Sequence, residues 1–66
     1  MKDIIGFIVI LWDEPEGTQV KSIFYDDDRL FKLKSEAQLY IKFAERMYPD
    51  NKGCYTVQSV GSPEVL

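Results

Sequence analysis

The stretch Ile4-Ile5-Gly6-Phe7-Ile8-Val9-Ile10-Leu11-Trp12 decides the fold, because every other segment has to be placed by how it covers this apolar run. All of it except Gly6 and Leu11 is β-branched or aromatic. Such side chains lose rotamer freedom in a helix and pack well on a pleated surface, so the run predicts a strand. The charged flanks Lys2-Asp3 and Asp13-Glu14 limit it to about 30 Å at roughly 3.3 Å per residue. A membrane-spanning helix needs about 20 apolar residues, which this run lacks. It also leads into Trp12-Asp13-Glu14-Pro15 rather than the small residues of a cleavage site, so neither a membrane span nor an export signal is predicted.

Beyond this strand, Asp13-Glu14-Pro15-Glu16-Gly17 combines a residue that fixes φ with one that permits positive φ, and reads as a hairpin loop. Residues 18–25 then alternate roughly with period two and predict a second, antiparallel strand, which Asp26-Asp27-Asp28 stops. Residues 29–34 have two readings. Leu30 and Leu33 share a helical stripe with Ala37, Tyr40, Ile41, Ala44, Met47 and Tyr48, yet Leu-Phe-Lys-Leu-Lys also alternates as an extended piece. The extended reading is preferred, because Ser35-Glu36-Ala37-Gln38 has the form of a capping box and starts the helix later. The helix is predicted over residues 36–48, where Pro49 stops it. A polar turn, Asp50-Asn51-Lys52-Gly53, leads to a last strand over residues 54–60.

The order is thus β-β-α-β. It predicts a small α+β domain over residues 1–62, with a tail over 63–66. The most apolar strand belongs in the centre, giving a three-stranded antiparallel sheet of order 2-1-3 with the helix packed on one face. A strand buried on one face alternates, whereas one buried on both reads as continuous apolar sequence. The first strand sends Ile5, Phe7, Val9 and Leu11 to one side and Ile4, Ile8, Ile10 and Trp12 to the other, with Gly6 between. One helix hides one side. Gly6 favours close approach on the even side and Phe7 more burial on the odd side, so the choice between them stays open. The uncovered side has to meet a second copy, another protein, or a piece of this chain such as Leu30-Phe31-Leu33 or the tail Pro63-Glu64-Val65-Leu66. Leaving such aliphatics wet forgoes roughly 1.5–3 kcal/mol each. On the helix, Leu39 and Phe43 lie one turn apart and away from the core stripe, a second candidate contact.

Composition bounds the chemistry. A chain of 66 residues that is 45% hydrophobic and 14% aromatic is globular, and it is small enough for oligomerisation to matter. There is no histidine, which removes the commonest general base and metal ligand. The one cysteine, Cys54, cannot form an internal disulfide and reads as a small buried hydrophobe in a reducing compartment, the cytoplasm. The triple aspartate lacks the spacing of a calcium loop, and the four glycines are too scattered to cradle phosphate. No enzyme, cofactor or metal is predicted.

The function expected is that of a non-enzymatic protein–protein interaction module, most simply a homodimer. Its contacts would come from an apolar sheet face (Ile8, Ile10, Trp12) or the outer helix side (Leu39, Phe43). Two alternatives use the charged residues. With eleven acids against eight bases the net charge is −3, and the acids gather in two groups. Asp13, Glu14 and Glu16 lie with Asp50 at one end of the sheet, and Asp26, Asp27 and Asp28 with Asp3 and Glu36 at the other. An acidic surface of this size suits an inhibitor, of the kind made by phages and mobile elements, that fills the basic cleft of a nucleic-acid-handling enzyme. Lys32, Lys34, Lys42 and Arg46 beside Phe31 and Tyr40 would instead suit single-stranded nucleic acid, but the negative charge and the lack of a basic stripe make that binding unfavourable.

Overall fold

A computed structural model describes residues 3–61. The apolar run forms β1, Ile4–Trp12, followed by β2, Val20–Phe24, the helix α1, Lys34–Met47, and β3, Tyr55–Gly61. A 3-10 turn, Pro49–Asn51, separates α1 from β3. The three strands make one antiparallel sheet of order β2-β1-β3, so the run of Ile4–Trp12 is central. This is the small α+β architecture expected from the sequence. The tail at residues 63–66 lies outside the described residues.

The odd side of β1 meets the helix. Val9 is fully buried and Leu11 nearly so, with Phe7 packed against them. Cross-strand partners share a face, and Val9 pairs with Phe24 and Val57 while Leu11 pairs with Tyr55. From the other layer come Ala37 and Ala44, whose small side chains let the helix sit close to the sheet, flanked by Tyr40 and Ile41. Tyr40 packs against both Phe24 and Phe31, with ring centroids 5.5 and 5.7 Å apart, and Phe24 against Tyr55 at 6.3 Å. Cys54 is buried at the edge of this core.

Residues 29–31 are extended. Phe31 exchanges both backbone hydrogen bonds with Phe7, at 2.8 and 2.9 Å, so this segment continues the β2 side of the sheet along the first half of β1. The consequence for Gly6 is direct. A Cβ there would lie 2.5 Å from the Leu30 Cβ and 2.9 Å from the Phe31 carbonyl oxygen, so the glycine makes room for Leu30.

The helix starts earlier than the Ser35 capping box implied. Leu33, extended at φ −120 and ψ 144, is the N-cap, and its N–H donates to Glu36 Oε1 at 3.1 Å. Glu36 therefore occupies the third helical position, where a carboxylate satisfies a free donor and faces the positive end of the helix dipole. Ser35 lies inside the first turn. At the other end the Tyr48 N–H donates to the Ala44 oxygen at 2.8 Å, and Pro49 opens the 3-10 turn. Glu45 Oε2 accepts the Gly53 N–H at 2.8 Å, tying the helix to the turn that enters β3; Gly53 has φ 84, a left-handed conformation that suits glycine.

Candidate interaction surfaces

The side of the sheet away from α1 is built by the even residues of β1 and their partners. Ile10 pairs with Ile23 and Thr56, Ile8 with Gln58, Trp12 with Val20, and Gly6 with Val60. Ile8, Ile10 and Trp12 are thus brought together on one face, each half-buried by its neighbours. Val20 and Ile23 add surface that is 49% and 43% exposed. Trp12 leans toward β3, its Nε1 donating to Thr56 Oγ1 at 2.8 Å. Polar Thr56 and Gln58 place the apolar part of the face over β1 and β2. Of the segment Leu30-Phe31-Leu33, only Leu30 serves this side, beside Gly6; Phe31 enters the helix-side core and Leu33 is exposed.

A second apolar surface lies on the helix. Leu39 and Phe43 are 64% and 61% exposed, and Met47, one turn further, continues the stripe. Leu39 and Phe43 border an open groove with Asp26, Phe31, Glu36 and Tyr40. The two surfaces sit on opposite layers and do not merge. Val20 and Ile23 were not singled out from the sequence, and Met47, which the helical spacing put on the core stripe with Tyr48, is like Tyr48 exposed. For Met47 the signal was its spacing of four from Phe43. For Val20 and Ile23 it was the cross-strand register, which a bulge at Lys21 shifts.

The acidic residues are placed less evenly than expected. Asp13, Glu14 and Glu16 are exposed in the β1–β2 loop, near the turn that holds Asp50, as anticipated. The triple aspartate, however, is not at the opposite end of the sheet. Residues 26–29 form a hairpin in which Asp26 and Arg29 exchange backbone bonds at 2.8 and 2.9 Å. Because β1 pairs with Phe24 at Val9 and with Phe31 at Phe7, this hairpin leaves the sheet sideways, midway along β1. Asp27 has φ 56, a conformation costly for a residue with a Cβ. The aromatics offered for base stacking are also differently placed. Phe31 is buried, and Tyr40 packs between Phe24 and Phe31, so neither presents a free ring face.

Burial, and then the neighbouring Tyr55 and Tyr48, raises the Tyr40 pKa above the ordinary tyrosine value. Among the described residues no group of three or more histidine, cysteine, aspartate or glutamate side chains is placed to hold a metal, and no helix is long and apolar enough to cross a membrane. No protein-family model, curated protein or solved structure matches the chain.

Proposed function

We propose that the chain is a non-enzymatic interaction module that assembles with itself and contacts protein partners through apolar surface on its two outer sides. One observation carries this reading: the open side of the sheet gathers Ile8, Ile10, Trp12, Val20 and Ile23 with no described element laid across them, while the helix exposes Leu39, Phe43 and Met47. Contiguous apolar surface of this kind is a recurrent mark of protein contact. The test is solution mass by light scattering across a concentration series, for the parent chain, Ile23→Lys and Phe43→Lys. A parent mass that doubles with concentration supports assembly, and loss of a partner contact in one variant assigns the side. A monomer at every concentration would sink the self-assembling half of the proposal.

A second reading follows from the hairpin at residues 26–29, which projects three consecutive exposed aspartates from the sheet edge. Such a projection suits insertion into a basic cleft. Binding to a nucleic-acid-handling enzyme should then weaken steeply with salt and vanish on changing Asp26, Asp27 and Asp28 to lysine. Insensitivity to both changes would exclude it.

A further inference from the structure

The sheet has two edges, and only one carries the features that keep strands from pairing with other chains. The β2 edge is five residues long, bulges at Lys21, and is flanked by the projecting hairpin of residues 26–29. A short strand, a lysine and a bulge are the usual protections. The β3 edge has none of these over most of its length. Tyr55–Gly61 runs seven residues, and its one ladder irregularity is a bulge across on β1, near Ile5. From Gly53 to Pro63 the sequence contains no charged residue.

The hydrogen-bond phase fixes what this edge presents. Phe7 bonds toward the β2 side and Trp12 donates to the Cys54 carbonyl at 2.9 Å, so odd residues of β1 bond toward β2 and even ones toward β3. Thr56 and Gln58, opposite Ile10 and Ile8, accordingly spend their backbone groups on β1. Tyr55, Val57 and Ser59 direct theirs outward. Among the described residues, the contact made there is a local one, from Gln58 Nε2 to the Ser59 oxygen at 3.1 Å.

We propose that this edge receives the β3 edge of a second copy, antiparallel, about a two-fold axis at the strand midpoint, Gln58. The inference rests on the self-assembly reading above but places self-assembly at this strand edge, which leaves the open sheet face and the outer helix side to other partners. Three features favour a second copy as the occupant. First, the register is self-complementary: Val57 faces Ser59 of the second copy, Thr56 faces its Val60, and Gln58 faces Gln58. A pairing of two chains that each carry −3 therefore brings no charges into opposition along the strand. Second, the paired backbone groups of Val57 and Ser59 are both outward-pointing, so each donor meets an acceptor. Third, α1 contacts both β1 and β3 and lies over the space between them. With strands about 4.8 Å apart, the two-fold then sets the two helix axes about 10 Å apart, a distance at which helices pack. The two three-stranded sheets become one, with the apolar β1–β2 part of each open face on either side of a polar centre at Thr56 and Gln58.

Amide hydrogen exchange, read residue by residue alongside solution mass from micromolar to millimolar concentration, tests this. The Tyr55, Val57 and Ser59 amides should exchange quickly in the monomer and slow by about tenfold or more as the mass doubles, while those of Ile23 and Tyr25 on the β2 edge stay fast. Ser59→Pro removes an outward donor without touching the ladder to β1, and should give a folded monomer by circular dichroism. If proline unfolds the chain, Ser59→Lys, which charges the edge, should give the same monomer. Doubling of the mass without slower exchange at the three amides would overturn the edge assignment and leave self-assembly standing. Protection that is the same at all concentrations would also overturn it, because the edge would then be covered within one chain. A mass that never doubles would remove both.

Discussion

The two faces of β1 are nearly equal in composition and opposite in fate. On one, Phe7, Val9 and Leu11 lie under a helix that offers Ala37 and Ala44 at the contact, and Val9 is wholly shielded from water. On the other, Ile8, Ile10 and Trp12 shield only one another and their cross-strand neighbours. Apolarity therefore does not by itself determine burial in a domain this small. What determines it is which face the connection after β2 carries the helix to, and the anchor for that is the Phe31 pairing with Phe7.

The largest effect that can break this comparison is a charge on each face. Val9→Asp would bury a carboxylate with no partner in the helix-side core, at a cost of several kcal/mol against a stability expected near the low end of about 5–15 kcal/mol. The expected outcome is loss of the cooperative thermal transition followed by circular dichroism. Ile23→Lys, on the open face, should leave the melting curve within about 0.5 kcal/mol of the parent, because the lysine head stays in water while its stem covers the sheet. Equal damage from the two would mean that the open face is as buried as the closed one.

Gly6 tests the same distinction from within the open face, with a smaller effect. Gly6→Ala places a methyl against Leu30 and the Phe31 carbonyl, and overpacking of this kind costs about 1–3 kcal/mol. A denaturant midpoint that falls without a change in slope would show the clash. Leu30→Gly in the same background should recover part of the loss, since it removes the Cβ that the new methyl meets at 2.5 Å. No recovery would place the cost at the backbone.

Much of this arrangement was legible in the chain because it is encoded locally. The bounds of β1 follow from apolar residues between charges, the stop of α1 from Pro49, and the central place of β1 from its lack of alternation. The choice of face was not legible. Both faces carried large aliphatics, and Gly6, which suggested close helix approach, in fact accommodates Leu30, a residue 24 positions along the chain. The cap was missed for a related reason. Leu33-x-x-Glu36 and Ser35-x-x-Gln38 overlap, and the side chain at Leu33 cannot cap, so the sequence favours serine. The long-range bond between Phe31 and Phe7 fixes where the chain enters the helix and gives the start to Leu33. Of the candidate contacts, Ile8, Ile10 and Trp12 followed from period two and Leu39 and Phe43 from helical spacing. Val20 and Ile23 required the register.

A pair of substitutions at the helix entry sharpens that account. Glu36→Ala removes the carboxylate that accepts the Leu33 N–H and the charge at the helix start, with an expected loss of about 0.5–1 kcal/mol. Ser35→Ala, within the first turn, should change stability by no more than about 0.5 kcal/mol in either direction. The reverse ranking in denaturant titrations would restore Ser35 as the cap.

The smallest effect concerns the aromatic group that joins the helix to the covered face. Burial chiefly raises the Tyr40 pKa above its ordinary value near 10, with Tyr55 and Tyr48 adding to the shift. The unfolded chain then loses this proton before the folded one does. Between the two pKa values the unfolded state binds fewer protons, so unfolding becomes easier as pH rises. The contribution is fully present below pH about 10 and is lost as pH climbs through the folded value. Tyr40→Phe keeps the ring against Phe24 and Phe31 and removes the titrating group. Its melting temperature should therefore fall less between pH 9 and 11 than that of the parent, a range of about one unit either side of the ordinary pKa. If Tyr40→Phe loses stability as steeply as the parent over this range, alkaline loss reflects the charge of the whole chain rather than the Tyr40 hydroxyl between helix and sheet.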